Sequence, residues 1–594
     1  MLHARTLSRL RPFLLCAALA AAPASAQSRV LWKVPGPVVT FANDLPRTTF
    51  PDGRGGSLFF EFGNSAADET RLRAVDANGN ERWLRTTPIV STGARETVTS
   101  DGAGRLVSVV GDPANLRLDV EGLDVDGGVR WTRSVTAPPP TPSYWPGAGL
   151  AVEHPSGEVT LAATFAELDT THFLTRGSTT VVRLDAAGVE RWRTTIPEHR
   201  IQRLDVDGDE VVLCLGQQNG ILDQYPLRVT RLDADGATLW SELLASGAIQ
   251  ASFTVSEVLF EPTSGDVLVQ WAVESGGFSA SSVGITSIDA SGDVAWTWSP
   301  SGLSGLEQTA GGMVFGASGG LLVGAVGRVS FDDRTRIYDL DPLTGAERHS
   351  IEFLERSIGA EKGLQPLPGG GAMVVLYDWP AGPFLVTLDA DLDVTSTLAL
   401  QPPPVSAIDP RTRLQTATPD GRGGLVLTGY DSYSGAPQPG VYLFRMKVAA
   451  GVDLGAAYCA QTSPNSTGAT TALEAFGSAA AADDDVTLIG SALPPFAASL
   501  FLVADQAGFA PNAGGSQGTL CLGGAIGRYN RPGEVQFASA EGGVTLRLDL
   551  ANTPGPSAVF AVLPGTTWRF QLWHRDMNPG QTSNLSNALE VTFL

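Results

Sequence analysis

The side chains best able to do chemistry in this sequence are carboxylates, and they come in short glycine-containing turns. Asp205-Val-Asp-Gly-Asp-Glu210 sets oxygen ligands at alternating positions, which is what a calcium ion favours. The twelve-residue loop ending in a bidentate glutamate is missing. Related clusters recur with a single carboxylate, as in Asp185-Ala-Ala-Gly188, so turn formation accounts for every copy. Asp483-Asp484-Asp485 reads as a solvated turn on the same grounds. No metal or other cofactor is expected, with calcium as the alternative.

Beyond residue 26 the histidines are His154, His172, His199, His349 and His574. None forms H-x-x-x-H or H-E-x-x-H, so zinc hydrolysis has no foothold. Trp573-His574-Arg575-Asp576 offers an acid–base pair, but an Arg–Asp contact at a strand end explains it better. No nucleophile elbow, phosphate loop or dinucleotide glycine pattern occurs in a credible context. Carboxylates converging from distant segments stay open as a glycosidase site. Tyr144, Trp145 and Tyr225 would suit stacking on sugar rings, though packing explains them better. The sequence assigns no catalytic, cofactor-binding or metal residue.

The chain ends bound the compartment. Arg5, Arg9 and Arg11 precede an apolar run over Pro12–Ala22, and Ala24-Ser25-Ala26 is an A-x-A cleavage site. Residues 1–26 are therefore expected to be a signal peptide, and the protein to be secreted or held at the cell surface, with the periplasm as a further possibility. No later stretch is apolar for long enough to span a bilayer, so no membrane insertion is expected. The formal net charge of −22 argues against nucleic acid and anionic lipid as partners. Cys459 and Cys521 are expected to pair in an oxidising compartment, closing a loop worth about 3–4 kcal/mol. Cys214, within the apolar Glu210–Gly216, reads as a packing residue.

Two phrases recur and fix the architecture. The first appears as AVDANGNERW (74–83), GLDVDGGVRW (122–131), RLDAAGVERW (183–192), RLDADGATLW (231–240) and SIDASGDVAW (287–296). Degenerate copies follow at 339–349, with His349 at the tryptophan position, and at 387–397, without Gly or Trp. The second phrase, as in PDGRGGSLFFEFG (51–63) and TPDGRGGLVLTGY (418–430), occurs eight times in alternation with the first. Asp and Gly make each a hairpin turn, so one unit is a four-stranded antiparallel sheet. Such a sheet leaves two apolar faces that only neighbouring sheets can cover. Trp83, Trp131, Trp192, Trp240 and Trp296 are placed to pack on the next unit, and Trp32 sits in a lone N-terminal strand. The last unit, ending in Gly440–Val448, lacks a fourth strand. The expected fold is all-β: an eight-bladed β-propeller over 27–450, or seven-bladed if a degenerate unit is no blade, closed by the N-terminal strand. Short alternating strands over 451–594 suggest a small β-sandwich domain.

The repeats resemble the tryptophan-docked repeats of pyrroloquinoline quinone-like propellers over roughly 28–448. That resemblance implies the fold. The quinone site is not carried over, because those enzymes use an adjacent cysteine pair at the cofactor and this region has one cysteine. The C-terminal segment resembles a domain of secreted proteins from planctomycetes and some other bacteria. Tyr458-Cys459, Gly518–Gly524, Trp568–Asp576 and Ser583–Phe593 carry that likeness. It implies a sorting, anchoring or accessory binding role. The expected function is that of an exported, monomeric, non-enzymatic propeller binding a protein or polysaccharide. The alternative is an extracellular polysaccharide-active enzyme with its site in the channel.

Overall fold

Turn chemistry acts first. The Asp185 carboxylate accepts hydrogen bonds from the N–H groups of Ala187 and Val189, each 2.9 Å long. Gly188 closes the turn at φ 78° and donates its N–H to the Asp185 carbonyl. The same paired bonds form at Asp124, Asp233, Asp289 and Asp389. A turn one residue longer forms at Asp341. In each case aspartate satisfies N–H groups that the bend removes from the strand ladder.

The computed structural model describes residues 27–594 apart from connections between strands, the longest being 40–47, 63–68, 89–96, 137–143, 218–226, 301–306, 401–409 and 434–439. The signal peptide expectation (1–26), His172 and Tyr225 lie outside the described residues, as do the side chains of Trp32, Tyr144, Trp145 and His199. The described residues form an all-β, propeller-like array. Antiparallel meanders follow one another at 48–88, 97–136, 144–197, 199–245, 251–298, 307–354 and 356–399. Within each, four strands A to D pair in chain order, and in the seventh, A is split into Arg356–Ile358 and Leu364–Pro366. An eighth sheet joins Pro410–Pro419, Gly424–Tyr433 and Gly440–Leu454. Its outer strand is Gln27–Val39, with Gln27 opposite Gly451 and Val39 opposite Val441. Antiparallel alternation puts the A–B and C–D turns of each of the first seven sheets at one end of its strands and the B–C and D–A connections at the other.

Successive sheets share apolar cores. Val107, Val109 and Trp131 of the second pack with Val159, Leu161 and Phe165 of the third, and comparable clusters join the fourth to the fifth and the sixth to the seventh. From the D strands, Trp131, Trp192, Trp240 and Trp296 each lie over the turn glycine of the next sheet: Gly188, Gly236, Gly292 and Gly345. Trp83 covers Gly127 in the same way, and its Nε1 donates to the Val125 carbonyl at 3.0 Å. A Cβ at Gly236 would stand 2.6 Å from the Trp192 ring, so glycine provides room as well as a left-handed φ. Where the tryptophan is lost, its receptor changes too. His349 is exposed, and the turn it would reach carries Leu392, at φ 63° and 2% exposed, in place of glycine.

Beyond the array, Gly440–Leu454 continues into pairing with Ala472–Gly477, followed by Val486–Ser491 and Val544–Arg547. A second sheet holds Ala498–Pro511, Thr519–Arg528, Thr567–Met577 and Gln581–Thr592. Both sheets bury side chains in one core containing Leu488, Phe501, Phe570, Leu589 and Phe593. The expected boundary at 450 thus falls inside a strand that serves both regions. Cys459 and Cys521 form a disulfide, and Cys214 is a buried free thiol.

Removing an indole should open an interface that nothing else fills. Trp240→Ala is expected to destabilise the protein by about 3 kcal/mol or more. His349→Ala, at the equivalent exposed position, should change stability by less than about 0.5 kcal/mol. Urea unfolding of the two variants checks this contrast.

Candidate functional site

Beside the A–B and C–D turns, charged side chains join neighbouring sheets. Arg183, 3% exposed, gives two bonds to one Glu158 oxygen, from Nε at 2.9 Å and Nη2 at 2.7 Å. Its Nη2 also reaches Asp209 of the next sheet at 3.1 Å, while Arg191 holds the other Glu158 oxygen at 2.7 Å. His154 stands beneath, with Nδ1 3.0 Å from the Gly208 carbonyl of the next sheet and Nε2 2.8 Å from Thr160 Oγ1. Burial holds its imidazole below the ordinary value, and nearby Arg183 acts in the same direction. One sheet on, Arg231 repeats the arrangement. Its Nε meets Glu210 at 2.5 Å, its Nη1 donates to the Gly265 carbonyl of the fifth sheet at 3.0 Å, and its guanidinium lies over Phe260.

These contacts bear on the calcium candidate. Glu210 turns to Arg231, and Asp205 accepts the Phe260 N–H of the neighbouring sheet at 3.3 Å. The carboxylates of 205–210 therefore serve different partners. Among the described residues no group of three His, Cys, Asp or Glu side chains is placed to hold a metal ion.

A second feature recurs along the A strands. The A strands of the third, fourth, fifth, sixth and eighth sheets each carry a bulge at nearly the same level, at 146–149, 201–203, 255–257, 310–313 and 414–416. The split in the seventh A strand falls at that level. Side chains of the preceding sheet bind the backbone groups near the bulges. Thr164 Oγ1 accepts from Ile201 N–H, Gln202 Oε1 from Val255 N–H at 2.8 Å, and Arg203 Nε donates to the Ser256 carbonyl at 2.9 Å. Gln270 Nε2 reaches the Gly312 carbonyl at 3.3 Å. Sequence reasoning missed the bulges. Gly311-Gly312 and Pro146-Gly147 were the available signals, and Gln202 and Ser256 offered none.

In the C-terminal region, the Trp573–Asp576 strand differs from expectation. Arg575 does not meet Asp576; its guanidinium lies 5.3 Å from the Trp573 ring centre. Asp576 Oδ1 accepts the N–H groups of Ser466 and Met577 at 3.0 and 2.8 Å. Burial opposes the charge, yet these bonds hold the carboxyl below its ordinary value. His574, fully buried, contacts Thr471 Oγ1 at 2.9 Å and the Arg575 carbonyl at 3.1 Å. Burial lowers its pKa, and imidazole and carboxylate are bonded to different partners. Asn465 and Asn584 are buried; Asn465 donates to the Ala492 carbonyl and Asn584 to that of Ser463. Asp484 Oδ1 accepts the Leu550 N–H, so the Asp483–Asp485 run is partly tied to the fold.

Residues 120–277 match the PQQ_2 repeat family. That model is described as "Outer membrane protein assembly factor BamB". No curated protein matches the chain. Among solved structures, a puromycin hydrolase aligns at 16% identity over 65% of this chain and 59% of its own, with a TM-score of 0.35. The β-propeller domain of the trilobed protease from Pyrococcus furiosus aligns at 9% identity over 70% and 94%, with a TM-score of 0.32. The chain spans about six tenths of the length of the puromycin hydrolase it matches. Among the described residues no helix is long and apolar enough to cross a membrane.

Asp205 yields a test of this packing. Burial raises its carboxyl to about 6, above the ordinary 3.8. Stability from this group is full below pH 4 and is lost as pH rises through 6. Asp205→Asn keeps an acceptor for Phe260, so it should stabilise the protein by about 1 kcal/mol at pH 7.5, after allowance for partial exposure. The gain should vanish at pH 4, as paired denaturation curves will show.

Proposed function

We propose that this protein is an exported binding protein. Its repeat array closes into an eight-bladed ring that acts as a monomer and binds its ligand on a ring face. The C-terminal region serves for sorting, anchoring or accessory binding, in keeping with its resemblance to domains of secreted proteins. One observation carries the reading: Arg183, Glu158, Asp209, Arg231, Glu210 and Asp205, able in principle to do chemistry, are engaged in tying one sheet to the next. Such side chains build a rigid platform rather than a reaction centre.

Ring closure is supported by the strand Gln27–Val39 completing the eighth sheet and by Thr48–Pro51 of the first sheet lying beside Pro410–Pro419 of the eighth. The cleavage-site pattern before Gln27 and the disulfide between Cys459 and Cys521 favour export. The description of the family model as an assembly factor favours a protein ligand over a polysaccharide.

The test uses purified residues 27–594. Retention on immobilised polysaccharides, with and without EDTA, is compared with chemical cross-linking in extracts of the producing cells. One dominant cross-linked protein and no effect of EDTA are expected. Retention on one polysaccharide would make sugar the ligand, and its loss in EDTA would restore calcium. Release of new reducing ends would establish the enzymatic alternative. If nothing is bound or cut, the reading fails.

A further inference from the structure

The second sheet of the C-terminal region carries apolar side chains on both faces. Phe501, Val503, Phe570 and Leu572 pack inward, into the core shared with the first sheet. Alternation turns Leu500, Leu502 and Trp573 to the outer face, where a sandwich ordinarily has polar residues. Part of this outer cluster is covered by the strand Thr519–Arg528, whose Leu520 and Leu522 join it. Gln571 holds the covering chain through the Cys521 N–H and the Thr519 carbonyl, each at 2.9 Å.

The uncovered part of the face is a shallow trough. Phe537 pairs with Ala498, and one step beyond the Ser499–His574 pair Ala498 lies beside Arg575. Phe537, Ala498 and Arg575 thus form one row on three adjacent strands, with Leu500 and Trp573 in the next row. The walls, Phe537 and Arg575, stand two strand spacings apart, about 9–10 Å between backbones, over the small Ala498. Phe537 is 56% exposed. Beside it Phe496, whose N–H donates to the Ala538 carbonyl at 3.1 Å, is 68% exposed. Phe496 holds φ 60°, an uncommon conformation for a bulky residue, and so keeps a second ring in water. The charge of the trough is opposite to that of the molecule. Of the five arginines in 451–594, Arg531, Arg547 and Arg569 pair with Glu534, Asp485 and Glu590. Arg575 is exposed and meets no carboxylate among the described residues; the Trp573 ring alone holds it, leaving its N–H donors unclaimed. Arg528, opposite Leu502 on the same face, is also exposed and without a carboxylate among the described residues.

We infer that this trough binds an acidic polysaccharide, with a uronic-acid ring against Phe537 and its carboxylate on Arg575. The inference rests on the accessory-binding role proposed for the C-terminal region and names the class of its ligand. A sugar ring offers C–H bonds on its face and, in a uronic acid, a carboxylate at its edge, so one unit meets both walls. The guanidinium fork matches that carboxylate with two parallel hydrogen bonds. An acidic peptide would supply the carboxylate without the flat ring. An anionic bilayer is a wide charged surface that the formal charge of −22 repels as a whole, whereas a single polymer strand meets only the local field of Arg575 and Arg528.

The experiment is calorimetric titration of residues 27–594, in EDTA, with oligogalacturonate and with alginate oligomers. Fully methyl-esterified oligogalacturonate is the neutral control. Saturable binding of at least one acidic oligomer is expected, at least tenfold tighter than that of the ester. Arg575→Gln and Phe537→Ala should each weaken it at least tenfold. Arg133→Gln, the same charge change on an exposed strand of the array, should leave it unaltered. Both trough positions are exposed, so their variants should unfold at the wild-type temperature, which separates lost binding from lost fold. Binding of neither acidic oligomer, equal binding of the ester, or full affinity in either trough variant would overturn the inference. So would binding to phosphatidylglycerol vesicles in place of the oligomers, which would make the patch a lipid contact. Polysaccharide binding that Arg575→Gln abolishes belongs to the trough and leaves the ring's ligand to the cross-linking test. Failure of cross-linking with oligomer binding intact would count against the ring's role alone.

Discussion

The indole laid over a left-handed glycine is the contact on which the array depends. Each sheet is too thin to bury its own apolar faces, so its stability comes from the next sheet. The tryptophan of a D strand supplies a large apolar surface at one fixed place, and the partner glycine lets it approach the backbone closely. The pair also sets register, because the glycine belongs to a turn that the aspartate has already shaped. Sheets joined this way can differ in strand length and loop sequence and still stack at a constant offset.

The exceptions follow the same logic. Sheet six has His349 at the tryptophan position, and the turn of the next sheet carries Leu392 where its neighbours have glycine, so a buried leucine occupies the interface that an indole fills elsewhere. Sheet seven has Ser396 at the tryptophan position, and the eighth sheet has no C–D turn to receive a ring. There the third strand runs on toward the C-terminal region and the fourth arrives from the N-terminus. Loss of a tryptophan thus goes with loss of its receptor.

Polar groups take a second share of the joining. In the A strands, bulges release backbone groups that Thr164, Gln202, Arg203 and Gln270 bind from the sheet before. On the turn face, Arg183 and Arg231 each bridge a glutamate of their own sheet and the turn of the next. Buried charges of this kind add little net stability but penalise wrong pairings strongly. The strand Gly440–Leu454 continues the same principle past the array, pairing with sheet eight along most of its length and with Ala472–Gly477 at its end.

What the sequence determined by itself was local and repetitive. The Asp-to-Gly spacing specifies the turns because both residues act within five positions, and alternation specifies the strands between them. The tryptophan ladder, the lone strand carrying Trp32 and the Cys459–Cys521 pair were legible because each is a spacing along the chain. Only the tertiary structure decided which side chains meet across sheets. Nothing near Arg575 in sequence shows that Phe537 stands across Ala498 from it, since the three are brought together by strand pairing. The bulges at Gln202 and Ser256 were equally silent, because they answer to a neighbouring sheet over fifty residues away. Contacts within a hairpin are encoded in neighbouring residues; contacts between hairpins depend on how the sheets stack.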